Sequence, residues 1–306
     1  PVSMYRIQAS SDWGIISEMA RHLKQSGCRI LIAFMTGAST KACAAHILSP
    51  GFRLFVSERN MNKRLLPHDR FRFLLYRQAE KVICNNYSQQ DFIKRKCPSL
   101  YPRTVTIPNF ADLEEFSPAP HKAGVPRRIV VTARVCPRKN ALGLIRAAKI
   151  LSDKGEKFKI DWYGLSGEED SYTIRCQDAI RENDLVGKFK FHRAVENVAG
   201  KYREADIFCL PSFYEGTSNS LAEALSCGLP VVCSAVSDNV RYALEGRNGF
   251  LFNPRKPKEI AGALSKAIHL QDDTLESFGA ESRKVAQESF RKENFIRKYS
   301  DLITEE

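Results

Sequence analysis

No stretch of this chain approaches the roughly 18 consecutive apolar residues that a membrane-spanning helix needs. The longest apolar runs, around residues 30–35 and 229–236, have the length of buried strands. No apolar segment stands behind a basic start, so no secretory leader is expected within these residues. The nine cysteines are odd in number and scattered, with no Cys-x-x-Cys. Cys84, Cys209 and Cys233 fall inside apolar runs, as small buried side chains in a reducing compartment would, not as a disulfide or zinc framework. There is no Asp-x-Asp pair, no internal repeat and no low-complexity tract. A helical membrane span, a disulfide-stapled scaffold and a repeat architecture are thereby set aside.

What the chain does have is length and positive charge. Its 306 residues suffice for two domains with cores of their own. The formal net charge is +12, unevenly spread: residues 1–120 carry 17 Lys/Arg against 9 Asp/Glu, and the remainder 30 against 26. The excess gathers in Arg59, Lys63, Arg64, Arg70, Arg72, Arg77 and Lys81, then Lys94, Arg95 and Lys96. Leu65, Leu66, Phe71, Phe73, Leu74, Leu75 and Tyr76 interleave with them as in an amphipathic helix. Two readings stay open: an ordinary solvated face, or docking to an anionic membrane surface, where each basic residue contributes about 1 kcal/mol. Nucleic acid is not expected as a partner, because no stacking module or recognition motif accompanies the charge.

Strand and helix patterns alternate nearly throughout, which predicts an α/β protein with parallel sheets covered by helices. Strands are expected at residues 30–35, 54–57, 82–84 and 105–107, then at 129–133, 159–163, 189–192, 207–210, 231–233 and 250–252. Residues 116–126, rich in Pro and Gly, break the pattern and predict the linker. Helices are expected over 140–151, 169–182, 257–269, 274–288 and 292–304, with Glu168, Glu169 and Asp170 as an acidic first turn.

Two glutamates, Glu215 and Glu223, carry the most specific signal. They flank seven residues in a run that follows an apolar strand and opens a helix with Leu221, Ala222, Ala224 and Leu225 on its buried face. Thr217 or Ser218 can cap that helix. Free backbone N–H groups and the positive dipole end then lie between two carboxylates. A ligand with phosphate in its middle and a sugar at either end suits that order, as in a nucleotide-sugar.

This run resembles the Glu-x7-Glu element of retaining GT-B glycosyltransferases, family 4 in particular. Three further segments are similar to that family in order: the strand ending at Arg134 with Lys139 five residues on; Ile107-Pro108-Asn109 with Asp112 and Phe116-Ser117-Pro118; and the late run from Asn248 to Pro254. Together they cover roughly residues 53–290. The resemblance implies a GT-B fold: two Rossmann-like parallel-sheet domains facing across a cleft. The expected division is an acceptor-side domain over 1–118, a nucleotide-sugar domain over 119–288, and a last helix over 289–306 crossing back to the first domain. The family's first strand and Gly-rich loop have no counterpart in residues 1–28, which hold only Gly14 and Gly27, so that part is expected to be missing here.

The resemblance also implies roles. With no Asp-x-Asp to hold a divalent metal, and no cofactor expected, the departing nucleoside diphosphate falls to fixed cations and a helix N-terminus. Arg134 and Lys139 are the candidates, with Arg138 able to substitute for Lys139. Glu215 faces the donor sugar and Glu223 the ribose. Gly216 admits close backbone approach, and Thr217, Ser218, Asn219 and Ser220 supply N–H groups and hydroxyls to the diphosphate. Gly164 matches the first glycine of a Gly-x-Gly turn, with Ser166 in place of the second. The base is expected against Val195, with Arg193, where the family usually has glycine, stacking over it.

On the acceptor side, Arg59 and Asn60 are assigned to substrate; a local Glu58–Arg59 ion pair is the alternative. The histidine that many family members carry there is absent, His68 being placed in a later loop. The expected activity is metal-independent, retaining transfer of a hexose from a UDP- or GDP-sugar to a glycan or lipid-linked glycan, as in bacterial surface-polysaccharide assembly. The expected location is cytoplasmic, peripheral on the inner face of the membrane. A catalytically weak nucleotide-sugar-binding or partner subunit is the alternative.

Overall fold

The structure is a computed structural model that describes residues 4–120, 123–167 and 170–304. It divides into two compact units, Pro1–Pro108 with Arg297–Glu306, and Asn109–Ile296.

The first unit runs α1 (Asp12–Gln25), β1 (Ile30–Phe34), α2 (Thr36–Leu48), β2 (Arg53–Glu58), α3 (Pro67–Leu75), β3 (Lys81–Cys84), α4 (Tyr87–Lys96) and β4 (Thr104–Thr106). The four strands form a parallel sheet in the order β1-β2-β3-β4. Leu54, Phe55 and Val56 are fully buried, because a parallel strand is covered on both faces and so reads as a continuous apolar run. Arg53 forks onto Glu80 at 2.7 and 2.6 Å and donates to the Ile303 carbonyl at 2.7 Å, which ties the end of the chain to this unit.

Helix α3 corrects the sequence reading. Its inward face carries Asp69, Arg72 and Phe73, and Tyr76 follows them inside. Its outward face carries Phe71 and Leu74 beside the exposed Arg70, so two charges of the helix point in and two of its large apolar side chains point out. Arg72 leaves the basic surface cluster: its Nη2 lies 3.0 Å from Asp69 Oδ1, 3.5 Å from Glu58 Oε2 and 3.1 Å from Asn62 Oδ1. The Glu58–Arg59 pair does not form. Glu58 turns inward to accept from Tyr76 Oη at 2.5 Å, while the Arg59 guanidinium stands 5.8 Å from the Phe34 ring centre. His68 sits in the first turn of α3 and not in a loop, since Pro67 opens the helix with its fixed φ.

The second unit runs β5 (Arg127–Thr132), α5 (Ala141–Asp153), β6 (Phe158–Leu165), α6 (Ser171–Glu182), β7 (Phe189–Arg193), α7 (Val198–Arg203), β8 (Ile207–Leu210) and α8 (Asn219–Ser226). It continues with β9 (Val231–Ser234), α9 (Asn239–Tyr242), β10 (Gly249–Phe252), α10 (Pro257–Ile268), α11 (Asp272–Ser289) and the start of α12 (Lys292–Thr304). Six parallel strands lie in the order β10-β9-β8-β5-β6-β7. Helices α5, α6 and α10 bury one face of the sheet around Trp162 and Leu144. Helices α8 and α11 bury the other around Phe208 and Leu225.

The segment read as a linker is packed on this unit: Phe116 meets Tyr202 edge-on, and Arg203 Nε donates to the Ser117 carbonyl at 3.0 Å. Asp170 is the N-cap of α6, its carboxylate accepting from Thr173 N at 2.7 Å, one step outside the expected first turn. Glu168 and Glu169 lie outside the described residues. All nine cysteines are free, and Cys84, Cys209 and Cys233 are buried. Among the described residues no helix is long and apolar enough to cross a membrane.

Candidate functional site at the strand ends of the second unit

Strand order reverses between β5 and β8. From β5 the chain progresses outward to β6 and β7; from β8 it progresses the other way to β9 and β10. The loops leaving β5 and β8 therefore diverge to opposite faces, toward α5 and α8, and leave a crevice at the carboxyl ends of the strands. In open α/β sheets that is where ligands bind. The loop after β5 holds Arg134, Arg138 and Lys139, and the loop after β8 holds Glu215 to Ser218.

Three backbone features fix the first loop. Gly164 has φ +139°, and a Cβ there would stand 2.1 Å from the Ala133 carbonyl oxygen, so β6 closes directly onto the end of β5 only because this residue is glycine. The Trp162 ring nitrogen donates to the same carbonyl at 2.7 Å. Asn140 then adopts a left-handed conformation, φ 60° and ψ 41°, which Asn tolerates. Its side chain makes no cap bond; it donates to the carbonyls of Pro211 at 3.0 Å and Pro254 at 2.8 Å. Asn140 thus pins the loops after β5, β8 and β10 together. The sequence signal for it was only an Asn before a helix, which reads as a cap.

Glu215 is buried and holds two cations of the other loop: Lys139 Nζ at 2.6 Å and Arg138 Nη1 at 3.3 Å. Its backbone N–H donates to Ser237 Oγ at 3.3 Å. The Arg138 guanidinium also lies 5.5 Å from the Tyr214 ring centre. Lys139 spends one of its three N–H donors on Glu215 and keeps two. Arg134 is exposed, and no carboxylate partner is recorded for it among the described residues.

Ser218 is the N-cap of α8, its Oγ 3.4 Å from Leu221 N and 3.0 Å from Ser220 Oγ. Asn219 accepts from Asn109 Nδ2 at 2.6 Å. The backbone N–H groups of Asn219 and Ser220, at the first two helical positions, have no partner within the helix. Gly216 is half-buried and Thr217 buried beside them.

Glu223, one turn further, accepts from the fully buried Tyr202 Oη at 2.9 Å; that hydroxyl lies 2.5 Å from Thr132 Oγ1 at the end of β5. Burial pushes the Glu223 carboxyl above its ordinary value; the Tyr202 hydrogen bond pulls the other way, and the Glu115 charge pushes it up further. Neither Tyr202 nor Thr132 gave any sequence signal, because a buried tyrosine on a short helix looks like core.

The expected residues are thus only partly brought together. Arg138, Lys139 and Glu215 are in contact, Gly164 abuts the Ala133–Arg134 peptide, and Glu223 is tied to the end of β5. Arg193, exposed, and Val195, half-buried, follow at the end of the edge strand β7, two strands from β5. Arg59 and Asn60 belong to the first unit, at the carboxyl end of β2.

Residues 126–269 match the family model described as glycosyl transferases group 1. Among curated proteins, the chain is 25% identical over 217 residues to a putative colanic acid biosynthesis glycosyltransferase of Salmonella typhimurium, covering 68% of this chain and 52% of that protein. It is 22% identical over 288 residues to the UDP-Gal:alpha-D-GlcNAc-diphosphoundecaprenol alpha-1,3-galactosyltransferase of Escherichia coli, covering 90% of this chain and 70% of that protein. The chain thus spans about half the length of the first of these relatives. Among solved structures, a glycosyltransferase of Rickettsia africae superposes with TM-score 0.85 at 14% identity, over 98% of this chain and 83% of its own. Anabaena HepE in complex with UDP superposes with TM-score 0.84 at 17% identity, over 95% of this chain and 82% of its own. Over residues 126–269 the chain is thus similar to the glycosyl transferases group 1 family, and it has the two-domain, Rossmann-like GT-B fold of these solved structures.

Proposed function

We propose that the chain transfers a hexose from a nucleoside diphosphate sugar to a sugar hydroxyl, in assembly of a surface or lipid-linked glycan. One observation carries this reading: at the switch point between β5 and β8, one loop holds an exposed Arg134, with no carboxylate partner among the described residues, and Lys139 bound to Glu215 of the other loop, which leads into the N-terminus of α8 with Glu223 one turn in. A diphosphate there meets a guanidinium, the free donors of Lys139 and a helix N-terminus. Glu223 accepts from the ribose hydroxyls on one side, and the base lies toward Arg193 and Val195. The relatives' names, a UDP-Gal transferase acting on a diphosphoundecaprenol acceptor and a colanic acid enzyme, support the donor and acceptor classes. The UDP complex of Anabaena HepE supports the nucleotide.

The reading includes retention without a covalent intermediate. Glu215 is the carboxylate assigned to the donor sugar, and both of its oxygens are engaged by Lys139 and Arg138. Its part is to aim Lys139. The acceptor hydroxyl then attacks the front face while the departing phosphate takes its proton. Because fixed cations bear the leaving charge, no divalent metal is needed.

The test is donor hydrolysis and transfer over a panel of UDP- and GDP-sugars, with and without EDTA. Turnover should persist in chelator. Complete loss, restored by Mn²⁺ or Mg²⁺, would overturn the metal-free reading. Nucleotide-sugar binding without any turnover would fit a binding or partner subunit instead.

A further inference from the structure

Helix α3 buries Asp69 and Arg72 beside Phe73 and exposes Phe71 and Leu74 beside Arg70, an outer face of mixed apolar and basic residues where an ordinary surface helix in water is polar. Phe71, Leu74 and the preceding Leu66 are 61%, 56% and 47% exposed. Arg70, Leu74 and Arg77 lie at spacings of four and three, one stripe along the outer face, with Phe71 three residues before Leu74. Beside that stripe lies a groove of about 440 Å³, floored by Phe73 and Leu100 and rimmed by Arg70, Arg77 and Lys96. No carboxylate lines it. The nearest acid on the helix, Asp69, is buried against Arg72 and offers the rim no neutralisation. Lys94 and Arg95 extend the positive charge along the last turn of α4.

We infer that this face, α3 with the end of α4, docks on an anionic phospholipid surface, with Phe71 and Leu74 entering the interface and Arg70, Arg77 and Lys96 meeting lipid phosphates. Each part needs the other. Single exposed apolar side chains are ordinary on soluble proteins, but two on one short helix with a third at its N-cap, adjoining a groove that no carboxylate lines, are not. Cations alone would serve any polyanion. Cations around exposed Phe and Leu match a bilayer, where phosphate sits above hydrocarbon. A nucleic acid offers no hydrocarbon layer for Leu66 and Leu74 to enter. The inference stands independently of the transferase reading, since every residue in it belongs to the first unit.

Co-sedimentation of the whole chain tests it, with phosphatidylcholine vesicles containing about 30% phosphatidylglycerol against phosphatidylcholine alone, at low and physiological salt. The wild type should pellet with the anionic vesicles only, and less at physiological salt. Arg70→Gln with Arg77→Gln and Lys96→Gln should lower the partition coefficient at least about tenfold. Phe71→Ser with Leu74→Ser should abolish the binding that survives at physiological salt. Lys159→Gln with Lys190→Gln and Lys258→Gln, the same charge change on the second unit, should bind as wild type. All the substituted residues are exposed, and thermal melts matching the wild type would show the variants folded. Three results would overturn the inference: no binding to anionic vesicles, equal loss in the second-unit variant, or indifference to Phe71 and Leu74 with equally tight binding to heparin. The last would assign the face to a polyanion.

Discussion

At the carboxyl ends of β2 and β3, Glu58, Asp69, Arg72, Asn86 and Gln89 are buried and bond one another. Gln89 reaches Asn62 N and Oδ1, both at 2.8 Å, so the loop after β2 is latched shut. At the carboxyl ends of β5 and β8 the same kinds of residue stay partly open: Arg134 is exposed, Lys139 keeps two donors, and the first N–H groups of α8 have no partner within the helix. Glu58 Oε2 and Arg72 Nε also lack a hydrogen-bond partner, so the difference lies in access: the first cluster is sealed from solvent, whereas Arg134 and the first turn of α8 face it. The contrast separates structural polar clusters from candidate binding groups where residue type alone does not.

The contrast breaks hardest at Arg72. Arg72→Ala leaves Glu58 and Asp69 buried without their cation, and loss of one partner from such a cluster costs about 3–5 kcal/mol. Urea unfolding should show that loss. A variant within about 0.5 kcal/mol of wild type would mean that the first unit's cluster is no lock.

Arg134→Ala is the converse. Stability should change by less than about 0.5 kcal/mol, as for other surface substitutions. Turnover should fall by about 100-fold or more, the cost of losing one preorganised donor to a developing anion. Equal turnover in the two proteins would move the diphosphate away from the β5 loop.

Between these limits lie the two glutamates. Glu223→Ala should weaken UDP or GDP binding by about 1.5–3 kcal/mol, the range for hydrogen bonds to a charged group. Glu215→Ala frees Lys139 and Arg138 from their anchor, so it should lower turnover more than nucleotide affinity. Calorimetry that finds unchanged nucleotide affinity in Glu223→Ala would remove the ribose assignment.

Much of this was legible in the sequence because period and punctuation agreed. Strand β8 and helix α12 fall on the expected residues, and the remaining strands differ by a residue or two at their ends. The Glu215–Glu223 run betrayed its place through the apolar strand before it and the helical period after it. What was not legible is which way a polar residue points. Arg70, Arg72 and Arg77 look alike in a basic run, yet one is buried and two rim a groove. That choice depends on Glu58, fourteen residues away at the end of β2, and no local pattern encodes it. The same holds for Lys139: its spacing from Arg134 suggested a free cation, and only the fold brings Glu215 against it. Glycine and asparagine were legible as turn formers, but that Gly164 touches the Ala133 carbonyl, or that Asn140 spans three loops, is a property of strand order.

The smallest effect sharpens the comparison most, because it separates the cost of a binding group from its use. Glu223 ionises at higher pH in the folded chain than an exposed glutamate, burial being the main cause. In the window between the two values the folded state holds more proton than the unfolded one, so stability falls as pH rises through it, and the loss is complete above the folded value. Glu223→Gln keeps an acceptor for Tyr202 and cannot ionise. At about pH 7.5 it should therefore melt higher than wild type, by a few degrees at most, with the difference vanishing below about pH 4, where an unfolded glutamate is also protonated. The same variant should bind nucleotide more weakly, having lost the charge that strengthens a bond from ribose hydroxyls. A Gln variant that melts lower at pH 7.5 would show that the ionised carboxylate is held in the free protein more strongly than its burial penalises it. Glu223 would then belong with Glu58 and Arg72 as structure, not with Arg134 as a group held open for a ligand.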